Sequence, residues 1–327
     1  MEKIRVGVVG VGYLGQFHAE KYAKMEGVEL VGVVDIDSSR AREIAKRYRT
    51  QPFFHHSNLF HRVQAVSIAV PTPLHHSIAK DFFLQGVDVL LEKPIANTLA
   101  EADELIRLAE SKGLILQVGH LERFNGALVA SEEMVQNPVF IESHRVGPFT
   151  GRAGDVNIVI DLMIHDIDIT LNLVNCKVKQ IHAIGLPVLT PSLDIANARI
   201  EFENGCVANL TASRVSREKT RRTRIFQPNG TLTIDYLSQK TFFTKKLTPS
   251  EKKGIPEVIT EEILVTKVDS LEAEIHSFLQ SVRDRKEVRV SGRDGKRALE
   301  VAFQIIEKID EGIEKKKRWG NGTLSLH

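Results

Sequence analysis

Cysteine is almost missing from this chain of 327 residues: Cys176 and Cys206 are the whole complement. Two thiols are too few for a disulfide framework or a thiolate metal site, so neither a metal nor thiol redox chemistry is expected. Apolar runs long enough to cross a bilayer are absent, as is a basic, apolar, small-residue leader, so the expectation is a cytoplasmic protein with no membrane partner. Charge of one sign is lacking too: 44 Lys and Arg against 42 Asp and Glu leave a net charge of +2. That balance argues against a dedicated nucleic-acid binder. No internal repeat or low-complexity segment is evident. What the chain does have is length, enough for about two domains with substantial cores.

The first third alternates short apolar runs with helical patterns. Strands are expected at Ile4 to Val9, Glu29 to Val34, Pro52 to Phe54, Ala65 to Val70, Asp88 to Leu91 and Leu114 to Val118. Helices are expected near Gln16 to Met25, Ser38 to Tyr48, His75 to Gln85 and Thr98 to Ser111. Continuous apolar strands between helices imply a doubly wound parallel sheet covered on both faces. Beyond Gly119 the rhythm changes. An apolar helix at Ile158 to Leu173 precedes strands at 181–185, 196–203, 207–213, 223–227, 231–236 and 241–244, with hairpin signals at Asn204-Gly205 and Asn229-Gly230. Two closing helices, 270–285 and 293–316, complete an α+β domain with a largely antiparallel sheet. The boundaries expected are 1–120 and 121–327.

Gly10-Val11-Gly12-Tyr13-Leu14-Gly15 fits G-x-G-x-x-G and stands where a strand ends and a helix begins, the context that gives this pattern meaning. Gly10 permits the tight turn, Gly12 lets backbone approach a pyrophosphate, and Gly15 lets helix pack on sheet, leaving N–H groups for anionic oxygens. Asp35, twenty residues beyond Gly15, ends the second strand, where a carboxylate accepts the ribose hydroxyls and repels a 2′-phosphate. NAD is therefore favoured over NADP, with Arg40 near enough in sequence to soften that repulsion.

Glu92-Lys93-Pro94 follows an apolar strand, which puts Lys93 at the carboxyl edge where such sheets bind ligands. Farther on, Asp161, His165, Asp168 and Asn172 recur at helical spacing on one face of an apolar helix, so the stripe lines either a cleft or a satisfied polar network. Oxidation of an alcohol needs a hydride acceptor and a proton acceptor, and an imidazole titrates near neutral pH. His165 is the candidate base, Lys93 the group that polarises the reacting oxygen, and Asp161 the residue that orients the substrate hydroxyl.

These residues together resemble the family of glucose-fructose oxidoreductase and inositol dehydrogenase. The marks are Gly10 to Gly15, Thr72-Pro73-Leu74-His75, Glu92-Lys93-Pro94 and Asp161 to His165. The resemblance implies a Rossmann domain followed by an open-faced antiparallel sheet, assembly into homodimers or homotetramers, and catalytic roles for Lys93, Asp161 and His165. It also implies cofactor contacts from Tyr13, Leu14, Thr72, Pro73, His75 and Glu92. Within the family, the wording of 117–125 and 160–168 is similar to enzymes of the UDP-N-acetylglucosamine 3-dehydrogenase type. That likeness implies oxidation of a nucleotide-sugar 3-hydroxyl to a ketone, with a downstream aminotransferase making a diamino sugar for lipid A.

Arg123, Arg145 and Arg152 fall near segments expected at the cleft, and each could hold a diphosphate or serve as a structural ion-pair partner. Asp168 joins Arg123 and Arg152 as a candidate substrate residue. In the run 214–224, strand alternation puts Arg217, Lys219 and Arg221 on one face and Arg222 and Arg224 on the other, which favours a solvated or subunit-contact strand over an RNA groove. Two other readings stay open: oxidation of a free sugar or inositol (or reduction of a keto sugar) by the same residues, and a catalytically silent NAD-binding regulator.

Overall fold

Six parallel strands make the first sheet: β1 (Ile4–Val9), β2 (Val28–Val34), β3 (Gln51–Phe53), β4 (Ala65–Ile68), β5 (Asp88–Glu92) and β6 (Leu116–Gly119). Their order is β3-β2-β1-β4-β5-β6, so the chain reverses its direction of travel between β1 and β4. The computed structural model describes residues 3–151, 154–246 and 258–320. It divides into two units, Met1–Phe124 with Val268–Arg297 and Asn125–Lys267 with Ala298–His327.

In the first unit the strands β1, β4, β5 and β6 are buried on both faces, with Val6, Val8, Val66 and Leu91 fully enclosed. This is why they read as unbroken aliphatic runs rather than alternating ones. Helices Gly15–Lys24, Ser38–Tyr48, His75–Leu84 and Leu99–Ser111 intervene. Their starts are locally encoded. The Asp37 side chain accepts the N–H groups of Ser39 and Arg40, and Thr98 with Glu101 forms a reciprocal capping box.

The helix Ser270–Asp284 also belongs to this unit, although the sequence reading carries it with the second domain. Ile275, Phe278, Leu279 and Val282 share a core with Val6, Val8, Tyr22 and Leu90. Lys21 bonds Asp269 at 2.6 Å and Glu272 at 3.1 Å, and Arg285 bonds buried Asp88 at 2.8 Å. An amphipathic pattern states that a helix has an apolar face but not which sheet will cover it.

The second unit is built on an eight-stranded sheet. Its strands are β7 (Phe140–Val146), β8 (Val178–Leu186), β9 (Ile195–Phe202), β10 (Val207–Ser213), β11 (Thr220–Gln227), β12 (Gly230–Asp235), β13 (Lys240–Lys246) and β14 (Val258–Ile263). The order is β14-β13-β12-β11-β7-β10-β9-β8, with β7 and β10 parallel and the other neighbours antiparallel. One face carries Ile141, Ala198, Ile200, Leu210, Ile225 and Ile234 into a core shared with Ile158, Met163, Ile167 and Ile305. Residues between them on each strand point the other way, the alternation expected of a sheet with one buried face.

The expected helix 158–173 is two pieces. Val159–Met163 forms a π-helical turn, the α-helix runs Ile164–Val174, and Asn175 ends it in the left-handed region. Wider turns of this kind recur at functional sites because they shift one side chain out of the regular helical face. Among the described residues no helix is long and apolar enough to cross a membrane.

Candidate functional site

At the end of β1 the chain turns through Gly10 at φ +81°, and the Gly10 N–H bonds the Val34 carbonyl at 2.8 Å. A Cβ on Gly15 would lie 1.7 Å from the Gly10 carbonyl oxygen, so only glycine lets the helix begin so close to the strand. Gly12 is the opposite case: a Cβ there would meet nothing within 4 Å, because its backbone faces open space. The helix starts at Gly15 without a side-chain cap and with no acid in its first turn, which leaves its N–H groups and positive end available to an anion.

Asp35 closes the other side. It is buried, its Oδ2 accepts the Val11 N–H at 3.0 Å and its Oδ1 accepts the Asp37 N–H at 2.9 Å. Arg40 Nη1 stands 3.3 and 3.4 Å from the two carboxylate oxygens, so the neighbour noted in the sequence is in contact. A cavity of about 320 Å³ lies here, lined among others by Gly10, Gly12, Asp35, Arg40, Pro71 and Leu74. These residues fit a dinucleotide: glycine backbone and a helix start for a pyrophosphate, and a carboxylate for a ribose. Tyr13 and Leu14 are exposed at the turn. Thr72 and Pro73 lie in the short helical turn after β4, with Pro73 exposed. His75 is buried, with Nδ1 2.8 Å from the Pro94 carbonyl and Nε2 2.9 Å from the Val70 carbonyl. Burial lowers its pKa against the pull of those two carbonyls. Its ring thus ties the segment after β4 to the segment after β5.

Glu92 ends β5 and Lys93 follows it, half-buried at the carboxyl edge of the sheet. Glu92 Oε2 accepts the Lys93 N–H at 3.2 Å, and Oε1 lies 3.1 Å from His18 Nε2. His18 Nδ1 is 3.1 Å from Ser67 Oγ, which is 2.7 Å from the Tyr22 hydroxyl. Burial pushes the Glu92 pKa up, but the His18 bond and charge outweigh it and hold the carboxyl below its ordinary value. The fully buried Glu274 goes the other way, raised by burial and then by the Glu92 charge. His18, Ser67, Tyr22 and Glu274 escaped the sequence reading. The available signals were a histidine three residues after Gly15 and a serine inside the aliphatic run of β4.

In the second unit Asp161 lies in the π-helical turn, partly accessible, while His165 and Asp168 are nearly enclosed on the α-helix that follows. Arg214 Nη2 stands 3.8 Å from Asp161 and donates to the Val156 carbonyl at 2.7 Å. Arg145, 2% exposed, grips Asp166 through Nε and Nη2 at 2.9 and 3.0 Å, a buried ion pair. Arg123 is buried in the first unit, where Nη2 donates to the Arg289 carbonyl at 3.4 Å. Arg152 lies outside the described residues.

Comparison with known proteins agrees with this geometry. Residues 4–120 match the model of an oxidoreductase family with an NAD-binding Rossmann fold, and residues 141–233 match the GFO/IDH/MocA C-terminal domain. UDP-N-acetylglucosamine 3-dehydrogenase of Acidithiobacillus ferrooxidans is 37% identical over 316 residues, covering 96% of this chain and 100% of that one. A crystal form of that enzyme superposes with a TM-score of 0.90 over 95% of this chain and 99% of its own. Myo-inositol 2-dehydrogenase of Thermotoga maritima is 23% identical over 94% of this chain and 97% of its own. Scyllo-inositol dehydrogenase of Lactobacillus casei, solved with NAD(H) and scyllo-inositol, shares the fold at 20% identity and a TM-score of 0.79, over 95% of this chain and 98% of that one. With both domain models matched in sequence order and a relative aligned from end to end, this chain belongs to the GFO/IDH/MocA family of NAD-binding oxidoreductases.

Proposed function

We propose that this protein oxidises the 3-hydroxyl of UDP-N-acetylglucosamine to a ketone, using NAD. The observation that carries the reading is the end-to-end likeness to a dehydrogenase of that name, in a chain that also has a dinucleotide cradle and a lysine and histidine of the right chemistry. When bound, NAD accepts the hydride. His165 takes the hydroxyl proton as general base, Asp161 orients that hydroxyl, and Lys93 stabilises negative charge developing on the oxygen. Gly10, Gly12 and Gly15 hold the pyrophosphate and Asp35 the ribose, with Tyr13, Leu14, Thr72, Pro73 and Glu92 around them and His75 fixing the turn after Lys93.

The 3-keto product is a substrate for an aminotransferase, which places the reaction ahead of diamino-sugar formation for lipid A in the cytoplasm. We assign the face of the second sheet that points away from its core to homo-oligomer contact. The inositol dehydrogenases among the relatives support a second reading, oxidation of a free cyclitol or sugar by the same residues. The test is NADH formation at 340 nm with UDP-N-acetylglucosamine, coupled to a ketone trap, with N-acetylglucosamine and inositols in parallel. Turnover of the nucleotide sugar alone is the expected result, and turnover of free polyols alone would replace this substrate with the second reading.

A further inference from the structure

The arginine-rich run 214–224 is not absorbed by the catalytic assignment, and the structure divides it. Arg222 and Arg224 lie on the exposed side of β11, where Arg222 stands 3.7 Å from Asp235 and Arg224 pairs with Glu142. Lys219 and Arg221 instead border a cavity of about 230 Å³ in the second unit. Its other walls are the end of β7 with the loop Gly147–Thr150, Asp161 with Leu162, and Ser213 with Arg214 at the end of β10.

Cations predominate in the lining of this cavity. Four cations line it, Arg145, Arg214, Lys219 and Arg221, against the single carboxylate of Asp161. Arg145 is neutralised from behind by Asp166. Arg214 is shared between Asp161 and Asp194, 3.8 Å from each. Asp194 in turn accepts the N–H groups of Val188, Leu189 and Thr190 at 2.6 to 2.8 Å. Lys219, by contrast, is exposed and forms no ion pair among the described residues. Register places Arg221 directly across from Arg145 on the neighbouring strand, so two guanidinium-bearing residues border the cavity side by side. Phe149, 38% exposed at the rim, adds an aromatic surface of the kind on which a base can stack.

We propose that this cavity binds the diphosphate of the substrate, and that Lys219 and Arg221 are the residues that select a nucleoside-diphosphate sugar over a free sugar. The inference rests on the nucleotide-sugar reading above. Guanidinium matches phosphate oxygens two at a time and lysine adds a mobile point charge, the pairing that recognises a diphosphate. Asp161 lines the same cavity, so a diphosphate held here leaves the attached sugar beside the residue assigned to its hydroxyl.

The test is steady-state kinetics and UDP binding for Lys219→Ala, Arg221→Ala and the double variant, with NAD affinity as the control for folding. Each single change is expected to raise KM for UDP-N-acetylglucosamine and the dissociation constant of UDP by about tenfold, the double variant by more, with kcat within threefold and NAD binding intact. Lys219→Arg should restore most of the affinity. If the wild type turns over the nucleotide sugar while the double variant keeps the same KM and UDP affinity, the diphosphate site lies elsewhere and the substrate stands. If the wild type neither turns over the nucleotide sugar nor binds UDP, the substrate reading and this assignment fall together.

Discussion

In the parallel sheet of the first unit the buried residues of β1, β2, β4 and β5 are nearly all aliphatic, and the groups with chemistry sit where strands stop: Gly10, Asp35, Glu92 and Lys93. In the second sheet polar groups occupy the buried face itself. Ser143 and Thr223 bond each other at 2.9 Å, the Tyr236 hydroxyl donates to Thr223, and Arg145 grips Asp166 beneath the helix that carries His165. The first sheet thus keeps most of its chemistry at strand ends, where local rules of strand, turn and helix describe it. The other supports its site from below with an ion pair that is costly to bury and far more costly to break.

The largest effects should come from the assigned proton-transfer set, because they test whether residues of both units serve one reaction. Lys93→Ala and His165→Ala are each expected to lower kcat by about 10²–10⁴-fold while NAD affinity, measured by fluorescence titration, stays the same. Unchanged turnover in either variant would remove that residue from the mechanism. If both variants lost NAD binding as well, the separation of cofactor and proton-transfer roles would be wrong.

Asp166→Ala sharpens the contrast between the two interiors. It removes the carboxylate that grips the enclosed Arg145 guanidinium, and a loss of about 3–5 kcal/mol is expected in urea unfolding. Replacing Arg145 and Asp166 together with apolar residues of similar volume should recover much of that loss, since removing both partners leaves no stranded charge. A single Asp166→Ala variant as stable as the wild type would mean that the pair is not buried in solution. A smaller effect belongs to Asp35→Ala in the first unit. Affinity for NAD should fall about tenfold and discrimination against NADP should weaken, because the lost carboxylate served one cofactor and repelled the other.

The same contrast explains what could be read in advance. In the first unit the glycines, Asp35, the capping residues and the aliphatic strands are all local signals, and the helices 38–48 and 99–111 fall where those signals put them. β7 was not anticipated, because its inward positions are Ile141, Ser143 and Arg145, and two polar residues break the alternation that marks a half-buried strand. β14 escaped for a related reason: Val258–Ile263 carries Thr260, Glu261 and Glu262 in a mostly exposed strand at the end of the sheet. The π-helical turn at Val159–Met163 has no sequence signature, so the stripe from Asp161 to Asn172 was drawn with regular helical spacing. Glu92 meets His18 from 74 residues away and His18 meets Ser67 from 49 residues away, and only folding shows that they do.

Glu274 offers the finest test, because unlike the buried Asp88 and Glu92 of the same unit its fully buried carboxyl has no hydrogen-bond partner among the described residues. Burial, and then the negative charge of Glu92, raise its pKa well above the ordinary carboxylate value. The titratable groups around it are Glu92, Tyr22 and, through Glu92, His18. The folded protein therefore keeps a proton that the unfolded chain releases near the usual carboxylate pKa. Stability from this group is fully present below that pH and drains away as pH rises toward the folded value. Glu274→Gln has nearly the same shape and no proton to lose, so its advantage over the wild type in urea midpoint should grow as pH is raised from about 4 through neutrality. A midpoint difference that stays constant across that range would show that Glu274 ionises as readily folded as unfolded. Glu274 would then join Glu92 as a carboxylate that the first unit buries in its charged form.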